Sequence, residues 1–217
     1  MSRRRPRFVC SSLLAAGVTL GIGAWMVYGG TRTEAPPHPA AADAFPTRLG
    51  TPSPTATVPA VPTMPFSKPT RIRIPRVGID APVTAVGLDD SGRLVPPETD
   101  RNLAGWYQES VPPGSVGNSV LVGHVDTMRG PAVFYALGAL HRGDTIDITR
   151  ADSSTAEFSV DAIEVYAKAD FPSDRVYAAT TRPELRLITC GGGYTRSTGY
   201  LGNVVVYGHL TKALPGP

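Results

Sequence analysis

Ten prolines lie between Pro36 and Pro69, interleaved with alanine and threonine, and this block decides how much of the chain can fold. Proline fixes φ and removes a backbone donor, so such a stretch suits neither a helix interior nor the middle of a sheet. Its small side chains offer too little apolar surface to offset the entropy of ordering it. Residues 32–69 are therefore expected to form an extended linker. At about 3.1 Å per residue in the polyproline conformation, it would be a semi-rigid stalk reaching up to roughly 100 Å. A disordered tail without a role is the competing reading. The folded core is left to residues 70–217, enough for a single domain.

What precedes the linker explains why a stalk is preferred. Arg3, Arg4, Arg5 and Arg7 stand before residues 8–31, a run of 24 residues without a charge. About 20 apolar residues cross a bilayer core. Arginine before the run places the N-terminus in the cytoplasm, and Trp25 and Tyr28 fall near the outer interface. Residues 1–31 are read as a basic cytoplasmic tip and a transmembrane signal anchor. A cleaved signal peptide competes: Gly29 and Gly30 make cleavage conceivable, but no small-x-small site stands out. Either way the domain is exported, and the anchor reading puts it on the extracellular side of a single-pass membrane protein. The formal net charge is +3, and the N-terminal arginines supply much of it, so nothing argues for a nucleic-acid surface.

From residue 70 onward the dominant pattern is period two. Arg71-Ile72-Arg73-Ile74, residues 144–149 and residues 158–166 alternate polar and apolar positions, as half-buried strands do. Residues 79–86 form another strand, which Pro82 assigns to an edge. Gly105-Trp106-Tyr107 reads as core packing. Residues 131–140 carry apolar residues at helical spacing behind Pro131, a first-turn residue, so one short helix is expected there. Residues 171–177 suit a helical turn. Two further apolar strands, 119–124 and 185–190, and a last one at 203–208 complete the set. Seven or eight short strands with one or two short helices indicate a mainly β domain, a closed or nearly closed barrel.

Two of these strands end in chemistry. The chain has two cysteines: Cys10 falls in the apolar N-terminal run, and Cys190 follows Leu187-Ile188-Thr189 and precedes three glycines. The two lie in separate regions, so no disulfide forms within the domain. An unpaired exported thiol needs a reason, and catalysis is the commonest; a buried small hydrophobe is the bland alternative. The glycines would let the chain leave the strand without crowding the sulfur. Upstream, Val120-Leu121-Val122-Gly123-His124 ends in an imidazole. Side chains alternate along a strand, so Arg186, Ile188 and Cys190 share one face, as do Val120, Val122 and His124. If the two strands are neighbours, thiol and imidazole meet at one rim, the arrangement a Cys–His nucleophile needs. His38, His141 and His209 are weaker candidates for the base. Acyl transfer also needs positive charge or N–H groups where the oxyanion develops. Arg196, six residues past Cys190, is chosen for that role over Arg186, which lies roughly 13 Å back along the strand at 3.3 Å per residue. Asp126 is read as a turn cap rather than as an orienting group for His124. No further His or Cys stands at ligand spacing, so neither metal nor cofactor is expected.

With Leu187-Ile188-Thr189-Cys190-Gly191-Gly192, Gly123-His124-Val125-Asp126-Thr127 and Asn203-Val204-Val205-Val206-Tyr207 in view, the chain resembles the sortases. The likeness is greatest to the class F sortases of Gram-positive actinobacteria, and it spans about residues 70–212. The resemblance implies an eight-stranded β-barrel, Cys190 as acyl-thioester nucleophile, His124 as general acid and base, and an arginine that binds substrate or stabilises the oxyanion. It implies cleavage of an LPXTG-like sorting signal of a secreted protein between Thr and Gly, then transfer to a cell-wall amine, either a peptidoglycan precursor or a pilin lysine. The chain departs from the family pattern at Arg186, where a threonine is frequent, and at Leu201-Gly202-Asn203, where many sortases carry their arginine. Two rival functions remain: a non-catalytic exported β-barrel that binds wall or protein ligands, and an L,D-transpeptidase, whose Ser-His-Gly-Cys type motif is missing.

Overall fold

The computed structural model describes residues 35–46, 61–98 and 100–216. The expected membrane segment at 8–31 and the expected linker between 47 and 60 lie outside the described residues. Among the described residues no helix is long and apolar enough to cross a membrane. The compact unit that carries the barrel runs from Pro36 to Pro217.

Period-two patterning becomes strand throughout. In chain order the strands are β1 (Pro69–Ile74), β2 (Ile79–Val86), β3 (Ala104–Tyr107), β4 (Gly117–Val122), β5 (Asp126–Thr127), β6 (Gly130–Pro131), β7 (Thr145–Arg150), β8 (Thr155–Ala167), β9 (Pro183–Thr195) and β10 (Gly199–Leu214). Eight close into a barrel in the order β1-β2-β3-β4-β9-β10-β8-β7, with β7 pairing back onto β1, while β5 and β6 form a separate small hairpin. Most pairs are antiparallel, but β2–β3 and β4–β9 are parallel. The expected mainly β closed barrel is what the chain builds.

Alternation sorts the side chains into two apolar layers. Ile72, Ile74, Leu121, Ile146, Ile148, Phe158, Leu185, Leu187, Val204 and Val206 fill the barrel. Their neighbours in sequence, Val120, Val122, Ile188, Val205 and Tyr207, form a second cluster on the outer face, with Val176 over it. A fully buried side chain of this size contributes about 1.5–3 kcal/mol. The outer cluster therefore holds the β8–β9 connection, including α1 (Ser173–Val176), against the wall. Asn118 fastens it: its side-chain amide donates to the Val176 carbonyl at 2.7 Å.

Three expectations need correcting. Pro82 is not on an edge, because a closed barrel has none; it sits just before Val83, where pairing with β3 begins, so β3 asks no hydrogen bond of it. Pro131 starts no helix: it pairs with Asp126 in the β5–β6 hairpin, and the helical stretch is a 3-10 turn at Tyr135–Ala139. The proline-rich block is not uniformly extended away from the domain. Met64 N–H donates to the Gly114 carbonyl at 2.8 Å, and the buried Arg150 guanidinium donates to the Pro65 carbonyl. Further upstream the Asp43 carboxylate receives the His141 ring at 2.8 Å and the Arg142 N–H at 3.0 Å, and the Phe45 ring meets Tyr207 edge-on at 4.9 Å. The large or charged residues of this block, Asp43, Phe45 and Met64, find partners on the domain.

Candidate active site

The outer faces of β4, β9 and β10 set the site. β4 and β9 run parallel with Val122 beside Ile188, and the Gly123 N–H still donates to the Ile188 carbonyl at 3.1 Å. β4 ends at Val122, and His124 follows two residues beyond it, as Cys190 follows two residues beyond Ile188 within β9. Neighbouring strands lie about 4.8 Å apart, within reach for an imidazole and a thiol on one face. Across the other edge of β9, antiparallel β10 places Asn203 directly opposite Cys190. Cys190 and Asn203 thus face each other at the end of an otherwise apolar outer wall, with His124 on the segment that follows β4.

β9 does not end at the cysteine. It continues through Gly191, Gly192 and Gly193 to Thr195, and the register with β10 shifts between Tyr200 and Gly202. Two residues of β9, Gly192 and Gly193, oppose Leu201 alone, which is a β-bulge. Both have positive φ, 74° and 93°, which a residue with a Cβ resists. The glycines re-aim the strand just past the sulfur while keeping it paired.

His124 is held by its neighbours' backbone. Its carbonyl accepts the Phe134 N–H at 3.0 Å, and Val125 accepts the Ala132 N–H at 3.0 Å. Gly123 has to be glycine, since a Cβ there would stand 2.6 Å from the Phe134 ring. Beyond the histidine, the Asp126 carboxylate takes a hydrogen bond from the Tyr200 hydroxyl at the start of β10. Asp126 is therefore not a turn cap; it ties the loop carrying His124 to the strand carrying Asn203. Burial and this bond together hold the Tyr200 hydroxyl protonated, well above the ordinary tyrosine range.

Cys190 is half-buried and is the free cysteine of the described residues. Burial pushes its thiol up from its ordinary value; the Lys168 ammonium pulls it down and the Asp126 carboxylate pushes it up. The sulfur is thus mainly protonated at neutral pH, and a base has to take its proton as it reacts.

The remaining expected residues are placed as follows. Arg196 lies exposed in the three-residue turn between β9 and β10, roughly 15–20 Å along the strand from Cys190 at 3.3 Å per residue. The structure does not bring it to the thiol, because β9 runs on where the glycines suggested an exit. Arg186 shares the cysteine's face but is occupied: it donates to Glu184 at 2.8 Å and to the Leu185 carbonyl at 3.0 Å, and packs 4.5 Å above the Tyr207 ring. His141 is paired with Asp43, and His209 with Asp161 at 2.7 Å, so both serve packing. His38 lies in the N-terminal stretch, before the contacts made by Asp43 and Phe45. Sequence reasoning missed Tyr200, Lys168 and Asn203 as neighbours of the sulfur; only the pairing register reveals them. Among the described residues no group of three or more His, Cys, Asp or Glu is placed to hold a metal.

The comparisons with known proteins bear on the family and the fold. A family model described as the sortase domain matches residues 72–211. Among curated proteins none matches. Solved structures share the fold. Sortase A of Listeria monocytogenes aligns with a TM-score of 0.53 at 19% identity, over 68% of this chain and 90% of that one. A sortase from Actinomyces oris gives 0.53 at 19%, over 74% and 89%. A lid mutant of sortase A from Corynebacterium diphtheriae gives 0.52 at 23%, over 66% and 70%. With the family model covering most of the chain and its barrel built strand for strand, this protein belongs to the sortase family of cysteine transpeptidases.

Proposed function

We propose that this sortase is a membrane-anchored transpeptidase of the class F kind, which cleaves an LPXTG-like sorting signal between Thr and Gly and passes the acyl group to a cell-wall amine. The observation that supports the proposal is the parallel β4–β9 register, which pairs Val122, two residues before His124, with Ile188, two residues before Cys190. The thiol is held neutral by burial, so His124 takes its proton as sulfur adds to the threonine carbonyl. The tetrahedral adduct expels the glycine amine, which leaves with the proton from His124. A thioester on Cys190 remains, activated toward an incoming amine. The expected anchor at residues 8–31 would keep enzyme and exported substrate at one membrane surface.

The test is cleavage of a fluorogenic LPXTG peptide by the full chain in detergent, with and without an amine acceptor. Wild type releases the fluorophore, and an acceptor diverts the product from acid to amide. Cys190→Ala removes both. Cleavage retained by Cys190→Ala would remove Cys190 as the nucleophile, and a wild type that releases no fluorophore would return the protein to the reading of a non-catalytic binding barrel.

A further inference from the structure

Resting on that reading, the geometry points to Asn203: we propose that its side-chain amide donates the hydrogen bond that receives the oxyanion when the Cys190 sulfur adds to a carbonyl. Three observations converge on it. First, Asn203 is the cross-strand partner of Cys190, and directly opposed residues of an antiparallel pair put their Cβ atoms about 4.5–5.5 Å apart on one face. The neighbouring positions confirm the face, since Val204 and Val206 fill the barrel while Val205 and Tyr207 belong to the outer cluster with Ile188.

Second, the position is rigid. Asn203 is paired on both sides, with Cys190 on β9 and with Tyr166 on β8. Gly202 before it leaves no room for movement, as a Cβ there would stand 2.3 Å from the Tyr166 carbonyl oxygen. A donor fixed before the reaction need not reorganise as charge develops, and that fixity is the source of oxyanion stabilisation.

Third, the amide is unspent. Asn203 is half-buried, and its side chain makes no hydrogen bond among the described residues. The other donors nearby are committed or remote. Arg186 is engaged by Glu184 and Tyr207, Arg196 is at the far turn, His124 is the proton carrier, and Lys168 is exposed on the turn after β8.

The step balances without an outside reagent. The thiol proton passes to His124, the carbon–sulfur bond forms, and the carbonyl π pair moves onto oxygen, where the Asn203 N–H meets it. As the oxygen pair returns, the carbon–nitrogen bond breaks and the amine departs with the proton from His124. In the resting thiol there is no anion for the amide to hold, so its contribution appears in the transition state alone.

The experiment compares wild type, Asn203→Ala, Asn203→Asp and Lys168→Ala as full chains in three reactions. The first is the Cys190-dependent burst with p-nitrophenyl acetate, which acylates the sulfur through an oxyanion whatever peptide the groove accepts. The second is turnover of the LPXTG peptide. The third is alkylation by iodoacetamide, which forms no oxyanion. The expected result is a roughly 100-fold slower burst for Asn203→Ala, the loss typical of one oxyanion donor, with kcat on the peptide falling while KM holds. Asn203→Asp keeps the volume, loses the donor and falls at least as far. Alkylation of Asn203→Ala remains as in wild type, whereas Lys168→Ala removes the ammonium that lowers the thiol and slows burst and alkylation together. An unchanged burst in Asn203→Ala overturns the assignment, as does an equal loss of its burst and alkylation, which marks a structural role. A slowed burst in a protein whose wild type never cleaves the peptide keeps Asn203 and removes the proposed substrate instead.

Discussion

Arg186 and Cys190 leave the same face of β9 four residues apart and stand in opposite circumstances. Around Arg186 the outer face is closely engaged. Glu184 takes the guanidinium at 2.8 Å, the Tyr207 ring lies under it, and the Phe45 ring meets Tyr207 with Arg175 stacked 4.7 Å from it. Around Cys190 the same sheet leaves its polar groups uncommitted: a protonated sulfur, a histidine held through its backbone, and an asparagine with free donors. One region spends its donors on folding and the other reserves them for a substrate. The lesson is that a uniform β scaffold acquires a reactive end through what is left unpaired there, beside a neighbour whose charge is already answered.

That contrast is sharpest at His124. Replacing it with alanine should lower peptide turnover by roughly 10²–10⁴-fold, the usual weight of a positioned acid and base. The pH dependence carries the sign. Burial raises the thiol above its ordinary value near 9, so a variant lacking the base should gain rate steadily as pH rises toward and past that value. Wild type should depend less on alkali. A variant with wild-type rates at neutral pH would mean that the imidazole does no proton work.

At the engaged end the prediction concerns folding. Glu184→Gln leaves the Arg186 guanidinium, whose side chain is 6% exposed, without its counter-charge. Unfolding in urea should show a loss of about 2 kcal/mol, with kcat unchanged. A loss of turnover without loss of stability would erase the division between the two regions.

How much of this could be read from the chain follows from what each signal encodes. Ile72 and Ile74, or Leu185 and Leu187, declare a buried face by period two, and they occupy one. Cys190 and His124 draw attention in the sequence because each stands at the polar tip of an apolar run, and the runs before them, ending at Ile188 and Val122, are strand neighbours. Gly191–Gly193 were not legible: glycine permits both an exit and a bulge, and only pairing with Leu201 decides for the bulge. The position of Arg196 was misjudged for the same reason. Asn203 looked like an unremarkable start to a valine run until the ladder placed it opposite the sulfur. The docking of Asp43 and Phe45 depends on His141, Arg142 and Glu164, about a hundred residues away, and local composition carries no trace of partners so distant.

The smallest predicted effect lies on the link between the two strands of the site. Tyr200→Phe deletes the hydroxyl bonded to Asp126. It should cost about 1 kcal/mol of stability. It should also slow iodoacetamide alkylation at neutral pH, because the freed carboxylate acts on the sulfur undiminished. Faster alkylation would show that Asp126 does not govern the thiol.

The central claim is that the sulfur of Cys190 carries the acyl group, and the most direct measurement is the intact mass of the full chain quenched during turnover of an LPXTG peptide. The account predicts one added acyl fragment, mapped to the peptide containing Cys190 and released by hydroxylamine. Cleavage that proceeds with Cys190 unmodified, or an adduct on any other residue, would contradict it.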